Sequence, residues 1–568
     1  MSDSTPDPTR PDAPTDDEAP ADTGLYERIL KKAGGALPPR RPPRPSAAVV
    51  PWRRAPSGDG VEVFWIQRAE AMRFMGGWHA FPGGNVSKHD PGVPVRGAAS
   101  GLEDSRDGAD AFPESLTDGL PEGFELEADR VPGLEIAAIR ELFEETGILL
   151  VEELLPDNHD GPVTSLDQLD DARQRLLRGE AGFGEIVSEL GLTPDASRLT
   201  FAGRWLTPPF GPMRFDNRFF LLEWPAHAAL QPSIHGDECA DGEWVAPAEA
   251  HQRWHRGDVL AAPPILHLLK VLAEEGPEGS LPRLRRPMEA DLGPFRRIEF
   301  RPGVLMLPVK THTLPPADRT NAYLLGTGEE RVLVDPGSPL PAEIDRLRRA
   351  MDALASGGEG RVTAIWLTHH HPDHVGGVAA MREHLGVPVL AHPVTAELLA
   401  GRGVPVDGEL TDGQRVVLAG GEGHDDFPLR ALHTPGHAPG HLCFLDETWG
   451  SLIAGDMVAG VSTIVIDPPQ GDMDAYLASL KRLADLQPKT LFPAHGPAIK
   501  NAVATLEDYV QHRLWREDKV LAAWNDGLHE PADMLPVVYE DTPEKAWPLA
   551  QRQILAHLHR LKKQGRIP

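Results

Sequence analysis

The sequence predicts a multidomain protein of mixed α/β and α+β class, and three observations carry that prediction. Strand-like apolar runs alternate with helical patterns in two separate stretches, about 46–275 and 295–502, divided by the Pro- and Gly-containing stretch 276–294. In the second stretch, one apolar run after another ends in His or Asp. From 503 to 568 the pattern is helical throughout. A length of 568 residues leaves room for two to four domains.

Residues 1–45 are rich in Pro, Asp, Thr and Ala and hold too little apolar surface to offset the entropy of ordering, which predicts disorder. RRPPRPS at 40–46 reads as a linker by composition. The start of the chain has no basic-then-apolar signal pattern, and no run of about 18 apolar residues occurs, so no membrane span is expected. The two cysteines, Cys239 and Cys443, are far apart and in no metal spacing, which fits a reducing cytoplasm. With 85 acidic against 56 basic residues, the net charge of -29 argues against a general nucleic-acid coat protein. The tail 551–568 is the exception: it has Lys and Arg and no acid, and reads either as a phosphate-tracking surface or as a solvated helix face.

In the first stretch, VEVFWIQ (61–67) and FFLLEW (219–224) read as strands, and PILHLLKVLAEE (264–275) as a helix. Another helix starts near Leu134. On it Ile139, Leu142 and Phe143 have core spacing, while Glu141, Glu144 and Glu145 fall one turn apart on the other side. Three carboxylates so placed repel each other unless a hard cation such as magnesium joins them. A solvated acidic face is the plainer alternative, but Arg140 before the set and Thr146-Gly147 after it favour a built site.

In the second stretch, the run VTAIWL leads into THHHPDH (368–374). His369 and His371, then Asp373 and His374, are spaced to serve two adjacent centres, and imidazole with carboxylate suits zinc. His437, Asp456 and His495 follow in order at later strand ends, and Asp335 precedes them all. His433 and His441 lie near the loop of His437 but read as structural.

This ordered set resembles the metallo-β-lactamase superfamily over about 300–500. The resemblance implies an αβ/βα sandwich with two zinc ions: one on His369, His371 and His437, the other on Asp373, His374 and His495, with Asp456 bridging. Asp335 would orient a ligand, and a hydroxide shared by the metals would be the nucleophile. The tail 501–567 resembles a smaller branch of the superfamily, whose helical tail is a winged-helix-like module and which includes a single-strand RNA endoribonuclease. RNA therefore enters as a candidate partner. The segment after Asp456 adds a PPQG turn at 468–471.

Residues 46–275 resemble the Nudix hydrolases, which implies an α/β/α sandwich. AAIRELFEETGILL (137–150) matches one half of the Nudix box, and WHAFPGGNVSKHD (78–90) the other, with an insertion at about 91–131 expected to be a surface excursion. By that resemblance Glu141, Glu144 and Glu145 bind magnesium or manganese, with Glu144 and Glu145 catalytic. Gly84 would add a carbonyl ligand, Arg140 would hold the glutamates, and Asp90 stands where the family usually has Glu. Arg68, Ala69, Arg73, Gly77 and Phe81-Pro82-Gly83-Gly84 resemble a coenzyme A signature, which makes Arg68 and Arg73 substrate-binding candidates. Together these readings imply a bifunctional hydrolase acting on a phosphodiester or ester and on a coenzyme A- or nucleotide-type diphosphate. The alternative is a glyoxalase II-like thioester hydrolase regulated by a ligand-sensing Nudix module.

Overall fold

A computed structural model describes residues 42–72, 75–102, 131–151, 164–209, 213–225, 230–235, 238–286, 290–421, 424–461 and 463–568. The disorder expected for 1–41, the bulk of the insertion at 103–130, and Arg73 lie outside the described residues.

The N-terminal half is built on one mixed seven-stranded sheet. Its strands are β1 (Arg44–Arg54), β2 (Val61–Arg68), β3 (His79–Ala80), β4 (Gly83–Asn85), β5 (Thr200–Leu206), β6 (Phe215–Glu223) and β7 (Cys239–Val245). The order is β3-β2-β1-β6-β5, with β4 on β1 and β7 on β2. β1 runs parallel to β6 from the Arg44–Phe215 pair onward, so the last residues of the expected linker are in fact strand. Side chains alternate across the sheet. Ala47, Val49, Phe220 and Leu222 pack with helix α1 (Leu134–Thr146) on one face. Ala48, Val50, Phe219 and Leu221 pack with helix α2 (Pro263–Gly279) on the other. This is the expected α/β/α sandwich. The first part of the insertion is no free excursion: Ala99 and Leu102 are buried in the α1-side core, and Ser100 bridges Thr200 at the sheet edge.

The described residues of the stretch between the halves are folded. α2 kinks at Gly276 and runs on to Gly279, and Leu284 just beyond is fully buried in the α2-side core. A short hairpin of β8 (Asp291–Leu292) and β9 (Phe295–Arg296) follows.

Two further sheets make the C-terminal half. The first joins β10 (Glu299–Arg301), β11 (Val304–Lys310), β12 (Arg319–Leu325), β13 (Glu330–Val334), β14 (Arg361–Trp366), β15 (Val389–Ala391) and β16 (Gly408–Glu409) in that order. The second joins β17 (Arg415–Leu418), β18 (Phe427–His433), β19 (Leu442–Asp446), β20 (Ser451–Gly455) and β21 (Thr490–Pro493). Tyr323, Val334 and Trp366 of one sheet meet Leu429, Phe444 and Phe492 of the other in a shared core. Helices cover both outer faces: Leu347 and Met381 pack beneath the first sheet, Leu480 and Leu506 beneath the second. That arrangement is the expected αβ/βα sandwich. The strand β14 is buried on both faces, so it reads as an unbroken apolar run. The C-terminal helices close the chain, and no helix of the described residues is long and apolar enough to cross a membrane.

The halves share packing. Trp78 meets Phe300 edge-on at 5.0 Å between ring centres, in the core that joins the two C-terminal sheets. The Trp254 indole donates to Phe300 O at 2.9 Å, and the Arg301 guanidinium donates to Gly257 O at 2.6 Å.

Candidate catalytic centres

β14 ends at Trp366, and the chain turns at Thr368 into a single helical turn, Pro372–Val375, with Pro at its first position. The turn folds the THHHPDH motif on itself. His369 Nε2 and His437 Nε2 each lie 2.9 Å from His371 Nδ1, so three ring nitrogens converge. Beside them, His374 Nε2 lies 3.9 Å from Asp373 and 3.6 Å from Asp456 Oδ1, and His495 Nε2 lies 3.5 Å and 3.4 Å from the same two groups. Asp456 Oδ2 turns the other way, 3.4 Å from His437 Nε2. All seven predicted ligands are thus gathered, in two adjoining sets with Asp456 between them.

The far sides of the rings are tied down, which settles which nitrogen points inward. His374 Nδ1 bonds Asp335 Oδ2 at 2.8 Å, His437 Nδ1 bonds Val465 O at 2.8 Å, and His495 Nδ1 bonds Arg319 O at 2.9 Å. Asp335 also accepts from the Thr368 N–H and hydroxyl at 2.8 and 2.6 Å. It does this from a left-handed backbone, φ 47°, in the loop after β13. His441, which the sequence left as structural, accepts the Asp456 N–H through Nε2 at 3.1 Å. Its signal is the HTPGHAPGH loop: Gly436 sits at φ 137° against Tyr476, where a Cβ would lie 2.3 Å from the Tyr476 Cα. His433, by contrast, stacks on His392 and donates to Pro439 O.

The centre is buried and charged. Burial would lower the His374 pKa, but Asp373, Asp456 and Asp335 outweigh it and raise it to about 10. Burial pushes Asp456 up, and the surrounding His495, His374 and His437 more than reverse that. Burial first, then the neighbouring imidazoles, hold His369 and His371 well below their usual range. His374 Nε2 and Asp456 Oδ1 are buried with no hydrogen-bond partner. Buried polar atoms are rarely left so, and two facing each other amid further donor atoms fit metal ions.

The second centre is made where α1 meets β4. Arg140 spends every donor there: Nε and Nη2 on Asp90 at 3.0 and 3.1 Å, Nη2 also on Asn85 O, and Nη1 on Glu141 at 2.8 Å and Glu144 at 3.0 Å. Asp90 thereby closes the split box across the insertion. Glu145 is buried and accepts the Gly83 N–H at 2.8 Å. It does not lie on the solvated acidic face that was the plainer alternative. Gly84 packs against Glu141 so closely that a Cβ would lie 2.3 Å from its carboxylate. Burial and then Glu141 raise Glu144 to about 7 and Glu145 to about 8; burial also raises Glu141, against Arg140. Carboxylates buried together at this cost fit a hard cation. Glu238 adds negative charge that the sequence reading missed. Arg68, opposite Cys239 in the β2–β7 ladder, keeps a buried Nε without a partner.

The arginines of the basic tail are paired: Arg552 with Asp467, Arg560 with Asp474 and Glu517, and Arg566 with Glu517, so they tie the tail to the segments packed against it.

Residues 315–495 match the model of the metallo-beta-lactamase superfamily, 33–272 that of the NUDT19 Nudix domain, and 531–568 that of the beta-lactamase associated winged helix domain. The chain is 32% identical over 264 residues to a beta-lactamase-like protein 2 homolog of Drosophila melanogaster, covering 44% of this chain and 84% of that protein. The chain belongs to the metallo-beta-lactamase superfamily. This superfamily member carries a Nudix domain ahead of its lactamase-type domain, and it is a hydrolase. It is also 34% identical over 250 residues to a lactamase-like protein adaB of Aspergillus niger, covering 44% of this chain and 69% of the other. Among solved structures, a metallo-beta-lactamase family protein from Thermus thermophilus is 28% identical, covering 47% of this chain and 95% of that one, TM-score 0.35. A Nudix hydrolase from Alicyclobacillus acidocaldarius is 29% identical, covering 41% and 91%, TM-score 0.32. The family matches support two hydrolase domains and do not favour the thioester-hydrolase alternative.

Proposed function

We propose that the chain is a bifunctional hydrolase with a binuclear zinc centre for a phosphodiester or ester and a magnesium- or manganese-dependent Nudix centre for a nucleotide- or coenzyme A-type diphosphate. The observation that carries the reading is the pair of buried, partnerless atoms, His374 Nε2 and Asp456 Oδ1, enclosed by two ligand sets. Bound metal ions would supply a Lewis acid and an acidified water at each centre. The chain's own part is positioning. His369, His371 and His437 would hold one zinc, Asp373, His374 and His495 the other, with Asp456 shared. Asp335, Val465 O and Arg319 O take the Nδ1 protons, so that Nε2 of each ring is the nitrogen aimed inward at a metal. At the Nudix centre, Arg140 holds Glu141 and Glu144 on one side while the Gly83 N–H holds Glu145 on the other. Those three carboxylates and Gly84 O are the proposed ligands.

Arg68 is the proposed substrate-binding residue, because its positive charge acts on Glu145 and its buried Nε keeps a donor unspent. Arg73 is its companion from the sequence signature. The test is hydrolysis of coenzyme A, dephospho-coenzyme A, nucleoside diphosphate derivatives and single-stranded RNA by the full chain, with zinc and magnesium supplied separately. Zinc should support only the C-terminal activity. Arg68→Ala should lower diphosphate kcat/KM roughly 10- to 150-fold, the equivalent of about 1.5–3 kcal/mol for a charge-assisted hydrogen bond. No loss in folded protein would remove Arg68 from the site.

A further inference from the structure

The C-terminal helices reach into the zinc centre through a loop. Between Asp456 and helix α3 (Met473–Asp485) the chain crosses the rim of the site, and Ile464 and Ile466 anchor the crossing in the core beneath the second sheet. Val465, between them, supplies the carbonyl that takes the His437 Nδ1 proton. The carbonyl one residue earlier, Ile464 O, accepts two donors from the end of the chain: Arg513 Nη2 of helix α4 (Ala502–Asn525) at 2.5 Å, and Gln553 Nε2 of helix α5 (Trp547–Lys563) at 3.0 Å. Arg513 Nη1 also donates to Gln553 Oε1 at 3.2 Å, so the two side chains act as one clamp. The rest of the loop is held from both sides. Tyr509 of α4 bonds Ala459, Arg552 of α5 bonds Pro468 O at 2.9 Å, and His370 within the metal motif donates to Gln470 at 2.9 Å.

The clamp is costly to build. Arg513 and Gln553 are each only 4% exposed. Among the described residues Arg513 has no carboxylate partner, and its Nε has no acceptor. A buried guanidinium without a counter-charge is a poor choice if the position only needs packing, where an apolar side chain of like volume serves as well or better. Beyond a contact with the Tyr476 ring at 5.5 Å, it donates to Gln553 Oε1 and to one peptide carbonyl, adjacent to the carbonyl that selects the His437 tautomer. If that peptide were freed, rotation about the Val465 backbone would tilt the next peptide, whose carbonyl is Val465 O, release Nδ1 and let the ring turn its lone pair away from His371 and Asp456.

We propose that Arg513 and Gln553 are positioning residues for the metal ligand His437, acting through the backbone at Val465, whose preceding peptide carries the clamped Ile464 O and whose following peptide carries the Val465 O that His437 uses, so that the C-terminal helical module is part of the metal centre. This rests on the binuclear reading above. Outer partners of ligating histidines typically govern metal affinity by about 10- to 100-fold.

The test uses the full chain and zinc itself. Zinc bound per chain is titrated against a chelator competitor in wild type, Arg513→Met, Arg513→Lys, Gln553→Leu and His437→Ala, with thermal unfolding of each metal-free form alongside. Wild type should hold two ions. Arg513→Met should weaken one ion about 10- to 100-fold and leave the other, matching the pattern of His437→Ala. Arg513→Lys, which restores one donor, should recover part of the loss, and Gln553→Leu should show a smaller loss of the same ion. Wild-type affinity for both ions in folded Arg513→Met overturns the proposal. If Arg513→Met does not fold, Gln553→Leu and Arg513→Lys decide: both ions at wild-type affinity in these two overturns it equally. A wild type that binds no zinc, and on which His437→Ala changes nothing, sinks the binuclear reading instead.

Discussion

The two centres of this chain solve the problem of buried charge in opposite ways. In the C-terminal centre the outward nitrogens of His374, His437 and His495 are satisfied, and two facing inward atoms, His374 Nε2 and Asp456 Oδ1, are left bare. In the Nudix centre Glu141, Glu144 and Glu145 are already satisfied, by Arg140 and by the Gly83 N–H. The first is a set of aimed lone pairs that only a metal completes. The second is a carboxylate cluster held together by a cation of its own, on which a hard metal acts as a further, exchangeable guest. The difference teaches that metal dependence should be tight and structural at one end of the molecule, and loose and substrate-coupled at the other.

The sharpest way to break the comparison is Asp456→Ala. It removes the residue proposed as shared by both ligand sets, so zinc content should fall toward zero and C-terminal hydrolysis with it, while Glu145→Gln should leave zinc content at the wild-type value. Elemental analysis of both purified variants measures this; equal zinc loss in the two would mean that the centres are not separate. Next in size is Asp335→Asn. It keeps the shape but weakens the acceptor for His374 Nδ1, and zinc affinity should drop about 10- to 100-fold, read by competition with a chelator. A variant unchanged in affinity would show that the left-handed turn at Asp335 serves folding alone.

The smallest expected effect concerns the join. Lys500, five residues after His495, donates to Glu70 and to Gly77 O in the loop ahead of the Nudix box, each at 2.8 Å. Glu70 is largely exposed, so Lys500→Met should cost under about 1 kcal/mol in denaturant unfolding. If diphosphate kcat/KM nevertheless shifts by more than about fivefold, more than that stability cost can supply, the two centres communicate through this contact.

Much was legible beforehand because it is local. An unbroken apolar run marks β2, helical spacing marks α1, and the strand VTAIWL delivers THHHPDH wherever it is placed. Candidate ligands of fixed chemistry in fixed order carry their own signature, and the seven side chains that the fold gathers can be named from it. The distances between Gly84, Asp90 and Arg140 hid a different kind of fact. Only folding brings Asp90 back to Arg140 across 50 residues, and only then does an aspartate reach as well as a glutamate. Glu145 shows the same limit: helical spacing sets its angle about the axis, but the approach of β4 decides that it is buried.

By itself, then, the sequence determined the two sandwiches, the order of the ligands and the carboxylate set, because periodicity and ligand chemistry are properties of short segments. The tertiary structure alone decided which nitrogen of each histidine faces inward, since that depends on carbonyls at Val465 and Arg319 far along the chain. It also decided the fate of the basic tail. Arg552, Arg560 and Arg566 read as a free positive surface only until Asp467, Asp474 and Glu517 are brought opposite them, and opposite charges tens of residues apart meet only through packing.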